Sequence, residues 1–184
     1  EKVSFLLLLA LVSYVDRTKQ NISGLVIQHQ SKSAFAKEAL LFGTFCMLEK
    51  ESECERYLND NMLDYFHLQT TQIVTEIIEH RHEFYRYPLH AIKLIFTKLI
   101  LNLSRLIRKI RISSESGESQ KKDSFRNILL ILATCYSNAP DDALEFWEVD
   151  GRFVAFLRWS SDCSVPSVIT AFLQLLSAIS TGKE

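Results

Sequence analysis

Glycine and proline are scarce in this sequence, five and three in 184 residues. A β-sandwich or barrel needs turn residues about every 8–12 positions, so the scarcity argues against an all-β design. Five scattered glycines cannot build a glycine-rich phosphate loop either. An excess of either charge is lacking too. With 21 basic and 22 acidic residues the net charge is −1, which gives the whole chain no electrostatic hold on nucleic acid or anionic lipid. No apolar run reaches the ~20 residues of a membrane span. The run Phe5 to Val12 continues into Ser13-Tyr14-Val15-Asp16-Arg17 and reads as a buried helix of something larger. It has neither a clear basic leader nor a small-residue cleavage site, so it does not read as a signal peptide, and direct membrane insertion is not expected.

Cysteine is sparse and unpaired in spacing. Cys46, Cys54, Cys135 and Cys163 show no CxxC motif, and all but Cys54 lie in apolar surroundings. They read as small buried thiols of a reducing compartment, not as a disulfide framework.

Catalytic signatures are missing as well. There is no Gly-x-Ser-x-Gly elbow, and no cysteine stands beside a plausible base. His80 and His82 are two residues apart, which puts them on different helical faces, whereas zinc helices need spacings of three or four. His29, His67 and His90 stand alone, without a cysteine or carboxylate at ligand spacing. Asp141-Asp142 follows Pro140 and reads as first-turn acids that complement a helix dipole. No enzymatic activity, metal, cofactor or small-molecule substrate is expected.

What is present is helical periodicity. The chain is 47% hydrophobic and 23% charged, enough for a packed core. A first helix is predicted over 3–17, with a break at Gly24 and a short segment to Gln30. A second begins near Ser33, its apolar positions Phe35, Ala39, Phe42 and Cys46 in helical step; Gly43 inside it suggests close approach of a neighbour. One or two short helices account for 50–68, and another for 70–84. Residues 88–112 form the longest predicted helix, with Pro88 in its first turn and Leu89, Ile92, Phe96, Leu99, Leu103, Leu106 and Ile110 at unbroken steps of three and four.

A polar, mobile loop is expected over 112–123. A helix follows, capped by Asp123 or Ser124, with Phe125, Ile128, Leu129, Leu132, Cys135 and Tyr136 inward. Asn138 to Asp141 ends it. A short helix carries Phe146 and Trp147, the next Phe153, Phe156, Leu157 and Trp159. The last begins at Ser164 to Pro166, buries Val168, Phe172, Leu175, Leu176 and Ile179, and ends near Gly182. The expected fold is all-α, an irregular solenoid segment of stacked helix pairs of HEAT/armadillo type spanning 1–184. A compact bundle is the second choice.

Two features could meet a partner. Residues 88–112 carry Lys93, Lys98, Arg105, Arg108, Lys109 and Arg111 and no acid. Nucleic acid or an acidic partner would suit them, although much of that helix is apolar and a C-terminal dipole also attracts cations; nucleic acid is the less favoured partner. The adjoining Arg111-Ile112-Ser113-Ser114 could accept phosphate. The aromatics around Trp147 and Trp159 could form a peptide pocket or ordinary inter-helix core. Lys93, Arg105, Arg108, Arg111, Trp147 and Trp159 are therefore the candidate contact residues.

The C-terminal third also resembles a known family. Asp123-Ser124-Phe125-Arg126 to Asn138-Ala139-Pro140, then Phe146-Trp147, Phe153 to Asp162, and Phe172 to Gly182 are similar to the large inner-ring scaffold nucleoporins. The shared pattern is a helix closing on a small polar turn, an aromatic pair, an aromatic-rich helix and a final helix ending near glycine. The resemblance implies a long α-solenoid at the nuclear pore complex of the nuclear envelope. It would dock neighbouring ring components and short segments of linker nucleoporins in support of nucleocytoplasmic transport, with no catalysis and no cofactor. A peptide-binding adaptor outside the pore is the alternative.

Overall fold

A computed structural model describes residues 34–80, 85–115, 122–138, 143 and 152–180. The expected 3–17 helix, His29, His82, Asp141-Asp142, Phe146 and Trp147 lie outside the described residues. Eight helices are described: α1 (Ala34–Met47), α2 (Glu51–Tyr57), α3 (Asp60–His80), α4 (Arg86–Asn102), α5 (Ser104–Glu115), α6 (Lys122–Ser137), α7 (Arg152–Ser161) and α8 (Pro166–Ser180). No strand occurs among the described residues. This is the expected all-α, helix-stacking architecture.

Helix α1 is apolar around nearly its whole circumference and is buried accordingly, from Ala39 through Met47. Gly43 sits in mid-helix without ending it. Its end is closed by backbone geometry. Lys50 N–H donates to Phe45 O at 3.0 Å and Glu49 N–H to Cys46 O at 3.1 Å, the paired bonds of a Schellman turn. Glu49 occupies the left-handed position of that turn, at φ 56°, where glycine is the usual residue. A Cβ there costs about 1–2 kcal/mol, and the exposed Glu49–Lys98 ion pair returns about 0.2–1 kcal/mol. Glu49→Gly is expected to stabilise the chain by about 1 kcal/mol in denaturant melts. Glu49→Ala, which loses the ion pair without relieving the backbone, is expected to give no gain.

One or two short helices were expected over 50–68 and another over 70–84. Instead α2 ends at Tyr57 and a single helix runs from Asp60 to His80. Asn59 caps it: its Oδ1 accepts from Met62 N–H at 2.8 Å. The polar stretch at Thr70-Thr71 does not interrupt it, and each threonine hydroxyl is satisfied by the carbonyl one turn back. Thr70 reaches Phe66 O at 2.7 Å and Thr71 reaches His67 O at 2.9 Å.

The predicted 88–112 helix is two helices. Asn102 ends α4 and Leu103 leaves helical geometry at φ −113°, ψ 45°, before Ser104 opens α5. Helix then continues to Glu115 and resumes at Lys122, so 112–115 and 122–123 of the expected loop are helical; 116–121 lie outside the described residues. The start at Lys122 also places both Asp123 and Ser124 inside the first turn, not at the cap.

Packing centres on α6. The predicted stripe Phe125, Ile128, Leu129, Leu132, Cys135 and Tyr136 is buried, and so are Asn127, Ile131 and Ala133. A helix buried on so many sides needs neighbours on all of them, and α3, α4, α5 and α8 all pack against it. Helix α8 uses its expected stripe, with Val168, Phe172, Leu175 and Ile179 buried and Leu176 partly so. Helix α7 packs on α8 and touches α4, and Phe156 meets Phe125 edge-on at 6.2 Å. On the far side, Phe42 of α1, Phe66 of α3 and Phe96 of α4 form a triangle. Phe66 and Phe96 meet edge-to-face at 5.2 Å, and Phe42 lies 6.2 Å from each.

Candidate interaction surface

The basic residues expected on one face are divided among several fates. Lys93 is 4% exposed, with its ammonium 5.8 Å from the centre of the Tyr136 ring. It is thus a core residue of the α4–α6 contact, and the expectation of a surface contact at Lys93 does not fit its burial. Lys98 donates to Glu49 Oε1 at 3.1 Å. Lys109 is paired with Glu55. That hydrogen bond, then the lysine's charge, hold the Glu55 carboxyl below the usual carboxylate range, and Arg105 adds to the effect. Arg105 and Arg108 are exposed, as is Ile112 one turn beyond Arg108. Arg111 is half-buried.

The acids that take up these cations come from the short helix α2 and its approach. The sequence gives no hint of this, since the partners are 49 and 54 positions apart. A third acid of the group does something different. Glu51 Oε1 accepts from the backbone N–H of Leu106, in the first turn of α5, at 2.8 Å. A carboxylate there meets both an unsatisfied donor and the positive end of the helix dipole.

A second polar seam joins α3 to α6. The Ser124 hydroxyl donates to Asp60 and the buried Asn127 amide to Asp64. Arg126 donates to Asn127 Oδ1 from Nε and Nη2 at 3.4 and 3.2 Å. Asp60, Asp64 and His67 follow at steps of four and three, so they share one side of α3. His67 was expected to stand alone, but Asp64, three residues before it, lies on the same side of the helix. Burial, with Arg126 adding, pushes its imidazole below the ordinary histidine value, while Asp64 opposes the shift. The fold thus prefers neutral His67. The stability it lends is full above the ordinary imidazole value of about 6.5 and is lost as pH falls from there toward the lowered folded value. Melting temperature followed through the mildly acidic range is expected to drop in that window, and His67→Gln is expected to flatten the drop.

The four cysteines are buried free thiols. Cys54, despite its charged sequence neighbours, is fully buried and points its Sγ at Cys46 Sγ, 3.6 Å away. Burial first, and Cys54 second, push the Cys46 thiol well above its ordinary value, which keeps it protonated and unreactive. Among the described residues no group of three or more His, Cys, Asp or Glu is placed to hold a metal ion. No described helix is long and apolar enough to cross a membrane. Trp159 lies within α7, but its side chain is outside the described residues. Apolar surface remains on α7 and α8, where Val154, Ile169 and Leu173 are exposed.

Charges matched across helices, polar seams that fix helix register and a hub helix buried on most sides define a helix-stacking structural segment. Residues 2–184 match the family described as "Nuclear pore complex scaffold, nucleoporins 186/192/205", and the chain belongs to that family of nuclear pore complex proteins. It is 26% identical over 91 residues to nucleoporin NUP192 of Chaetomium thermophilum, an overlap that takes in 46% of this chain and 5% of that protein. No solved structure matches it. The family resemblance, carried in the sequence by 123–182, thus extends over the N-terminal helices too.

Proposed function

We propose that this chain is a scaffold segment of the inner ring of the nuclear pore complex, holding neighbouring nucleoporins and linker segments in fixed geometry in support of nucleocytoplasmic transport. It works without catalysis. The observation that supports this reading most is the scaffold-family match across residues 2–184. The pairing of Lys98 with Glu49 and Lys109 with Glu55, and of Glu51 with the α5 backbone, agrees with it, because these contacts join helices of the same stack. A scaffold acts by shape, through faces that its own helices hold in place. Arg105 and Arg108, exposed side by side on α5 and bordered by half-buried Arg111 and exposed Ile112, are the proposed contact for an acidic segment of a neighbouring nucleoporin.

Photobleaching of the fluorescently tagged intact protein tests the role. A scaffold subunit is expected to leave the bleached nuclear rim dark long after a shuttling transport factor has recovered. Recovery at the shuttling factor's rate would contradict a scaffold role. Arg105→Glu with Arg108→Glu is expected to weaken capture of the acidic partner tenfold or more, and to leave the melting temperature nearly unchanged because both side chains are exposed.

A further inference from the structure

Between Leu89 and Glu115 there is no glycine or proline, and the apolar positions step through Leu103 as one uninterrupted helical stripe. Sharp helix breaks otherwise arise at proline, at glycine, or where a side chain enters the hydrogen-bond ladder. Only the last of these is present. In a continuous helix Leu106 N–H would donate to the carbonyl of Asn102, four residues back. Here it donates instead to Glu51 Oε1, from a residue 55 positions away. The ladder is regular up to Leu103, whose N–H donates to Leu99 O, and again from Ile107, whose N–H donates to Leu103 O, each at 3.1 Å.

We propose that Glu51 is a latch that holds the α4–α5 break open, and that without it the two helices fuse into one. The packing shows what the break achieves. Helix α6 has 16 residues, about 24 Å of length. Residues 86–115 as one straight helix would run about 45 Å and overhang it. With the break, both α4 and α5 lie against α6, and Leu106, Ile107 and Ile110 are buried. Glu51 therefore positions α5, and with it the exposed Arg105 and Arg108. The latch is independent of the partner reading above, since it is read without any partner.

The test is a spin-label distance between Tyr87→Cys and Ile112→Cys, both at exposed positions, in the full chain; the four native thiols are buried and do not compete. These sites are 25 residues apart (112 − 87), so a straight helix separates their backbones by about 38 Å. The latched chain is expected to give one shorter distance. Glu51→Ala is expected to add a population near the straight-helix value, and Glu51→Gln, whose amide oxygen still accepts from Leu106, to keep the latched distance. Glu51→Asp, one methylene short, is expected to show the long population as well. It decides the matter if the alanine variant does not fold. A Glu51→Ala distribution identical to wild type, or identical distributions for Glu51→Asp and Glu51→Gln, would overturn the latch.

Discussion

Truncating Phe66 to alanine is expected to cost the chain about 3–5 kcal/mol. The ring is fully buried and is the contact that α3 makes with both Phe42 of α1 and Phe96 of α4. Its loss removes the transfer energy of a large aromatic side chain and leaves a cavity that three helices cannot close together. The two edge-on contacts add to the loss, at about 0.5–1.5 kcal/mol each. For a chain of this size the melting temperature is expected to fall by roughly 10 °C. Leu68→Ala, on the exposed side of the same helix, is expected to change stability by less than about 0.5 kcal/mol. A similar cost for both substitutions would mean that the aromatic triangle does not anchor α3.

Leu132→Asp is expected to have a larger effect still, the loss of cooperative unfolding altogether. Leu132 is fully buried on α6, the helix on which α3, α4, α5 and α8 converge. An unpaired carboxylate there has no partner and no water, and the penalty is several kcal/mol. Set against a total stability of about 5–15 kcal/mol, and added to the lost packing, it leaves too little to hold the stack. Leu132→Met, similar in volume and still apolar, is expected to cost less than about 1.5 kcal/mol. Circular dichroism during heating separates the cases: a sigmoidal transition for methionine, a shallow slope for aspartate. A cooperative transition in the aspartate variant would show that α6 is not the hub.

Much of this architecture is legible in the residues because helices announce themselves by period. The stripes of α6 and α8 can be read directly, since an apolar residue every three or four positions leaves one face to bury, and Pro166 and Asn138 mark their limits. Three features resist such reading, each for a physical reason. The break at Leu103 is made by Glu51, which no local pattern connects to it. Helix α3 runs on through Thr70 and Thr71, where the pattern suggests a boundary between two helices, and both hydroxyls are satisfied by carbonyls of the preceding turn. The turn at Glu49 is a glycine conformation occupied by a residue with a Cβ. The candidate contact residues separate along the same line. Arg105 and Arg108 are at the surface, as their charges suggest, whereas Lys93 shows that a long side chain can be drawn into the core when an aromatic ring receives its ammonium.

The sequence pattern and the stacked fold agree with the family membership in describing a piece of scaffold. Among the described residues several charges are matched across helices, while the surface carries a short basic stripe on α5 and an apolar strip on α7 and α8. Quantitative affinity capture of the intact, terminally tagged protein from its own cells tests the central claim most directly. Recovery of inner-ring nucleoporins in amounts close to that of the bait is the predicted result. Recovery of one soluble partner without pore components would contradict the scaffold account and favour an adaptor outside the pore.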